Sequence, residues 1–146
     1  MTNCNIKSNI GARFLAGLID YTIIFAIIFL IIMNFGEETE TGYELNGLSG
    51  LLSWFIPWVV FTIGFEKLFG ATLGNGIVGL KPIQENFYEK ISLSQSVKRH
   101  LADPVDMFFF GLVAILTIRN TDKKQRVGDI WAKTIVVKHV SKKSAE

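Results

Sequence analysis

Residues 14–35 carry a single charged side chain, Asp20, and residues 45–65 carry none. A helix that crosses a bilayer needs about 20 predominantly apolar residues. Both runs meet that length, and a soluble core built from 146 residues has little room to bury two of them. The chain therefore reads as an integral membrane protein. Helix one is expected over about 10–35, with Ser8 or Asn9 as its N-cap. Helix two is expected over about 45–66, kinked at Pro57. The first run does not read as a cleaved signal peptide. It is too long, contains Asp20 and ends in Asn34-Phe35-Gly36-Glu37 without a small-residue cleavage site.

Charge then orients the two spans. The stretch through Arg13 holds Lys7 and Arg13, whereas the loop from Gly36 to Glu44 holds no Lys or Arg and four glutamates, Glu37, Glu38, Glu40 and Glu44. Residues 66–100 hold five basic residues and residues 119–146 hold eight. Basic loops stay on the cytoplasmic side, so the N-terminus is expected inside and the Glu-rich loop outside. Tyr43 suits an aromatic belt at the outer boundary, and Trp54 and Trp58 share one helix face as packing or lipid-facing aromatics.

A third apolar segment complicates this pattern. A helix over about 97–118 is interrupted by Asp103, Pro104 and Asp106, and its clean part, Met107–Ile118, would be only about 18 Å long. If it spans, the basic tail 119–146 lies outside, against the charge rule. If it is re-entrant or interfacial, the tail stays inside. Pro104 and Gly111 are the bend points. Gly79–Gln84 reads as a strand followed by a turn at Glu85-Asn86 and a second extended piece near Phe87–Leu93, and Thr134–Val140 also has strand character. Their pairing would need both on one side of the membrane, which favours a returning third segment. The expected fold is thus all-α and membrane-embedded, one domain over 1–146, with two transmembrane helices, a third re-entrant, interfacial or spanning helix, and a small β-hairpin or strand pairing on the cytoplasmic side.

Several features carry little chemistry. Gly74-Asn-Gly-Ile-Val-Gly79 spells a dinucleotide fingerprint, but no strand–helix–strand context surrounds it. Its glycines instead permit turns and close backbone contact. Cys4 has no disulfide partner, and two lone histidines, His100 and His139, do not make a metal site. The tail reads as a solvated basic surface that touches anionic lipid, without a nucleic-acid motif. No cofactor or metal is expected.

The charges at membrane depth are the informative residues. Arg13-Phe-Leu-Ala-Gly-Leu-Ile-Asp20 recurs as Arg99-His-Leu-Ala-Asp-Pro-Val-Asp106, and each phrase opens an apolar run. Charges in lipid are expensive and mark function or pairing. Arg13 and Asp20 lie on one face, about 10.5 Å apart along a helix, too far for a direct pair. If the two phrases lie parallel, Asp20 and Asp106 face each other and share a proton or a cation. If they cross, Arg99 neutralises Asp20 and Arg13 neutralises Asp106, and the charges are structural.

Three phrases also resemble a known family. Arg13-x-x-Ala16-x-x-x-Asp20, Gly70-Ala-Thr-Leu-Gly-Asn-Gly-Ile-Val-Gly-Leu-Lys81 and Gln125-Arg-Val-Gly-Asp129-Ile-Trp-Ala-Lys-Thr-Ile-Val-Val137 are similar to successive segments of the RDD membrane proteins of bacteria and archaea. The family is named for one arginine and two aspartates. The resemblance implies Arg13 and Asp20 for the first two, and Asp129 for the third, with Asp106 as the alternative. This chain carries Gly128 where members often have histidine, and Asn75-Gly76 where they often have basic residues. Transport is the role suggested for such proteins. The site residues are therefore Arg13, Asp20, Arg99, Asp106 and Asp129. The expected function is a homo-oligomeric transporter or cation/proton exchanger in the bacterial cell membrane. The alternative is a non-catalytic scaffold or accessory subunit whose charges are structural. An enzyme is not expected, since no nucleophile–base set or metal-ligand cluster is visible.

Overall fold

The computed structural model describes residues 7–87 and 89–138. Cys4, His139, Val140 and the last residues of the tail lie outside the described residues.

Helix α1 spans Ile10–Phe35. Its buried residues, Ala16, Asp20, Ile24 and Ile28, recur every fourth position and form one stripe. The other faces present Phe14, Leu18, Phe25, Phe29, Leu30 and Met33 as exposed side chains. Large apolar residues facing outward around a narrow buried stripe suit lipid contact rather than water. The helix stops at Gly36, and strands β1 (Glu37–Thr39) and β2 (Gly42–Glu44) form a tight hairpin with Glu37 opposite Glu44. That hairpin falls in the Glu-rich loop, where the sequence offered no strand signal.

The second span begins with α2 (Gly47–Val59), continues through a π-helical turn (Val60–Gly64) and ends in α3 (Phe65–Phe69). Pro57 has no N–H and removes one rung of the helix. The wide turn begins three residues later, and the Thr62 hydroxyl donates to the Trp58 carbonyl at 2.6 Å within it. Gly70, at φ 81°, ends the span in the left-handed conformation. The spans pack antiparallel, with Phe25 meeting Trp54 edge-on at 5.9 Å. Residues Gly47–Phe69 and Ile10–Phe35 are both long and apolar enough to cross a membrane.

After the second span come α4 (Leu73–Ile77), β3 (Leu80–Gln84), α5 (Leu93–Leu101), α6 (Asp103–Asp106), α7 (Phe108–Asn120), α8 (Val127–Ala132) and β4 (Thr134–Lys138). Helix α5 opens with a capping box between Ser92 and Gln95. Strands β3 and β4 pair antiparallel with Pro82 opposite Val136. The sequence reading placed one helix over about 97–118; the chain instead breaks into three pieces. Pro104 lies in the first turn of α6, where its missing N–H costs nothing. Phe109, Phe110 and Gly111 are left-handed, with φ of 49°, 57° and 84°. Two successive non-glycine residues in that region are costly and interrupt α7 near its start. The regular part of α7 is consequently too short to cross a bilayer alone.

Candidate functional site

Asp129 is the centre of the buried charges. It lies in the first turn of α8 and has no solvent exposure. Arg13 of α1 donates from Nη1 to Asp129 Oδ2 at 2.9 Å, and Arg99 of α5 binds Asp129 Oδ1. The Arg126 N–H also donates to Asp129, at 3.3 Å. Arg13 donates further to the Lys124 carbonyl at 3.0 Å. Burial alone would raise the Asp129 carboxyl, but Arg99, Arg13 and Arg126 hold it down at about 2. Bound by both arginines, it ties the start of the first span to α5.

A second chain of contacts runs from the second span. Arg99 Nε lies 3.3 Å from Glu66 Oε1, and the Ser96 hydroxyl donates to Glu66 Oε2. His100 places Nε2 3.1 Å from Glu66 and Nδ1 2.9 Å from Asp103. A neutral imidazole has one N–H, so two carboxylates at its two nitrogens call for the imidazolium. Burial would lower the His100 pKa; its hydrogen bonds to Asp103 and Glu66 more than offset this and raise it. Asp103 also accepts from the Tyr21 hydroxyl at 2.9 Å and pairs with Arg126 at 2.8 Å. Burial would raise its carboxyl too, but Arg126 and His100 leave it below the ordinary carboxylate range. Arg126 in turn is held protonated more firmly than a free arginine, because Asp103, Asp129 and Asp106 outweigh the cost of its burial.

Asp20 and Asp106 sit differently. Asp20 Oδ1 accepts from the Gly74 N–H at 2.6 Å and Oδ2 from the Thr72 hydroxyl at 2.7 Å. Asp106 accepts from the N–H groups of Val127 and Gly128 at 2.9 and 3.0 Å. Arg126 Nε stands 3.7 Å from Asp106. Burial lifts the Asp106 carboxyl above its ordinary range, against the pull of Arg126 and the two amides. Five carboxylates thus converge, Asp20, Glu66, Asp103, Asp106 and Asp129, facing four cationic groups, Arg13, Arg99, Arg126 and the His100 imidazolium. Among the described residues, Asp20 is the member of this set without a cation in ion-pair reach. It borders a cavity of about 330 Å³, with Thr62, Thr72, Asn75, His100 and Arg126 also on its wall and α7 closing one side.

The structure therefore gathers Arg13, Asp20, Arg99, Asp106 and Asp129 at one end of the two spans, but neither sequence-derived pairing occurs. Asp20 and Asp106 do not bond to each other, Arg99 does not reach Asp20, and Arg13 does not reach Asp106; both arginines share Asp129. Glu66, His100, Asp103, Arg126, Tyr21 and Thr72 were missed. Ser96, Arg99, His100 and Asp103 are spaced three, one and three residues apart, a polar helix face that was a readable signal for His100 and Asp103. Among the described residues, no group of three or more His, Cys, Asp and Glu side chains is arranged to hold a metal ion.

Gly74-Asn-Gly-Ile-Val-Gly79 forms α4 and the turn after it. A Cβ on Gly74 would collide with the Ala16 carbonyl oxygen, so the glycine permits close contact with α1. The family model described as the RDD family matches residues 7–133. No curated protein and no solved structure matches.

Proposed function

The chain belongs to the RDD family, and from that premise we propose that it is a proton-exchanging membrane carrier in which Asp20 holds the exchanged proton and the other buried charges form the frame. The observation that carries this reading is the imbalance at the site: among the described residues, five carboxylates face four cations, with Asp20 the unpaired member. A carboxylate at this depth without a counter-charge is stabilised by binding a proton or a small cation. Among the described residues no three His, Cys, Asp or Glu side chains are arranged around a metal ion, so the proton is the better occupant. The neighbouring cavity offers the space through which it would arrive.

The orientation we propose puts the N-terminus and the module from α4 to β4 on the inner face of a bacterial cell membrane, following the distribution of Lys and Arg. In this arrangement α7 enters the membrane surface and returns. Support comes from its two ends: Asp106 just before it bonds Val127 and Gly128 just after it. Two spans enclose no continuous path, so the carrier works as a homo-oligomer, and the basic inner face contacts anionic lipid. The chemistry is carriage rather than enzymatic conversion.

Purified protein in liposomes, loaded with a pH-sensitive dye, tests the reading. The wild type is expected to dissipate an imposed pH gradient, and Asp20→Asn to lose that flux while remaining folded. A wild type that moves no protons, or an Asp20→Asn variant that moves them equally well, removes it. A second reading, a structural scaffold, is favoured by the pairing of the other four carboxylates with cations. Under that reading Asp20→Asn lowers stability or assembly, and no flux exists to lose.

A further inference from the structure

The fold contains two copies of one unit. Arg13, Ala16 and Asp20 on α1 have the same spacing as Arg99, Ala102 and Asp106 on α5 and α6. Asp20 accepts from the N–H of Gly74 in α4, and Asp106 accepts from the N–H of Gly128 in α8. Both glycines are pressed against the first helical part of their own copy. A Cβ on Gly74 would strike the Ala16 carbonyl oxygen, and one on Gly128 would lie 2.6 Å from the Arg99 carbonyl oxygen and 3.3 Å from Ala102 Cβ. A left-handed residue then precedes a five-residue strand in each copy, Gly79 at φ 71° and Lys133 at φ 54°.

The strand register supplies the symmetry. Gly74 corresponds to Gly128, Gly79 to Lys133, Leu80 to Thr134 and Pro82 to Val136, at a constant offset in the sequence. In the antiparallel pair, Pro82 lies opposite Val136, its own counterpart, and Leu80 and Gln84 lie opposite the counterparts of each other, Lys138 and Thr134. A pair with that register has a local two-fold axis between Pro82 and Val136.

The copies differ at the residue entering the short helix and at the third residue within it. In one copy these are Thr72 and Asn75; in the other they are Arg126 and Asp129. Thr72 donates its hydroxyl to Asp20 at 2.7 Å, and the Asn75 amide donates to Thr72 at 2.9 Å. Arg126 instead places a guanidinium 3.7 Å from Asp106, and Asp129 collects Arg13 and Arg99. We infer that the residue entering each short helix tunes the proton affinity of the carboxylate it faces, so that the neutral Thr72 hydroxyl leaves Asp20 the exchangeable site while the Arg126 guanidinium weakens proton binding at Asp106. This inference rests on the reading of Asp20 as the proton site and names the residue that tunes it. The other charged or titratable groups around Asp20 are Arg13 and Tyr21 on α1, His100 on α5, Asp103 and Asp106 on α6, and Arg126; α4 contributes none.

The test is a pH titration of the protonated-carboxyl band by infrared difference spectroscopy on the full chain in lipid, with bands assigned by Asp20→Asn and Asp106→Asn. Thr72→Lys places a cation beside Asp20 and is expected to weaken its proton affinity by about 10- to 1,000-fold. Arg126→Gln is expected to strengthen that of Asp106 by a similar factor. Thr72→Val has the same shape but no hydroxyl, so it is expected to strengthen proton binding at Asp20 even if the lysine variant does not fold. The inference is overturned if the Asp20 titration is the same in Thr72→Val as in the wild type, or if a folded Thr72→Lys leaves it in place. Because the readout is proton occupancy, a protein that moves no protons across liposomes would defeat the exchange reading while these shifts still appear.

Discussion

Replacing Asp129 with Asn tests the frame of the site. The amide keeps the shape of the side chain and its place in the first turn of α8, but removes the charge shared by Arg13 and Arg99. Arg99 keeps Glu66 at 3.3 Å, whereas Arg13 keeps only the Lys124 carbonyl at 3.0 Å. Breaking a buried pair by removing one partner costs about 3–5 kcal/mol, because a cation is left without compensation. Asp129 serves two arginines, yet one of them retains a second carboxylate, so we expect about 4 kcal/mol. For a chain of this size that corresponds to a fall in Tm of roughly 8–16 °C. The assay is thermal unfolding in detergent micelles, repeated with Arg13→Gln and with the double variant Arg13→Gln/Asp129→Asn. The two changes should be strongly non-additive, with a coupling of at least about 1 kcal/mol, since both remove the same contact. An Asp129→Asn protein within about 1 kcal/mol of the wild type, or purely additive changes, would refute the claim that this carboxylate ties α1 to α5.

Gly74→Ala and Gly128→Ala each place a methyl group against backbone and should each destabilise by at least about 2 kcal/mol in the same unfolding assay; a tolerated alanine at both would show that the helices are not in close contact. His100 is raised in the folded state, so its contribution is complete below its unfolded value near 6.5 and is lost as pH rises through the folded value. Stability should therefore decline on going from mildly acidic to alkaline pH, and His100→Gln should flatten that decline; an unchanged slope would rule out the imidazolium. Lys133 is exposed and left-handed where its counterpart is Gly79. Lys133→Gly should raise stability by up to about 1 kcal/mol, whereas Lys133→Val should lower it; denaturant midpoints decide the sign.

The two long apolar helices were legible because fitness to cross a bilayer imposes a length and a composition on consecutive residues. Strand β4 announced itself through the β-branched run that opens at Thr134, since such residues suit a pleated surface, whereas Gly79–Gln84 holds only Ile83 of that kind and a proline. The hairpin β1–β2 was hidden because Glu-Glu-Thr has no such preference, and its pairing follows from the two helix ends being held near each other. The break in the third segment was only half visible. Pro104 and Gly111 marked bends, but the left-handed Phe109 and Phe110 have no signature in a run of phenylalanines. At the site, charges stand out against apolar neighbours, which is why Arg13, Asp20, Arg99, Asp106 and Asp129 could be singled out. Their partners could not, because Arg13 and Asp129 are 116 residues apart and meet only once the chain has returned through the second span. Glu66 escaped notice by lying one residue beyond the uncharged run, and His100 by looking solitary in sequence while sitting between two carboxylates in space.

The most direct measurement is the infrared spectrum of the lipid-embedded protein at neutral pH, compared with that of Asp20→Asn. The surplus of one carboxylate over the available cations predicts one protonated aspartic acid, whose band disappears in the variant. A wild-type spectrum without a protonated carboxyl, or a band that persists when Asp20 is replaced, would contradict the account.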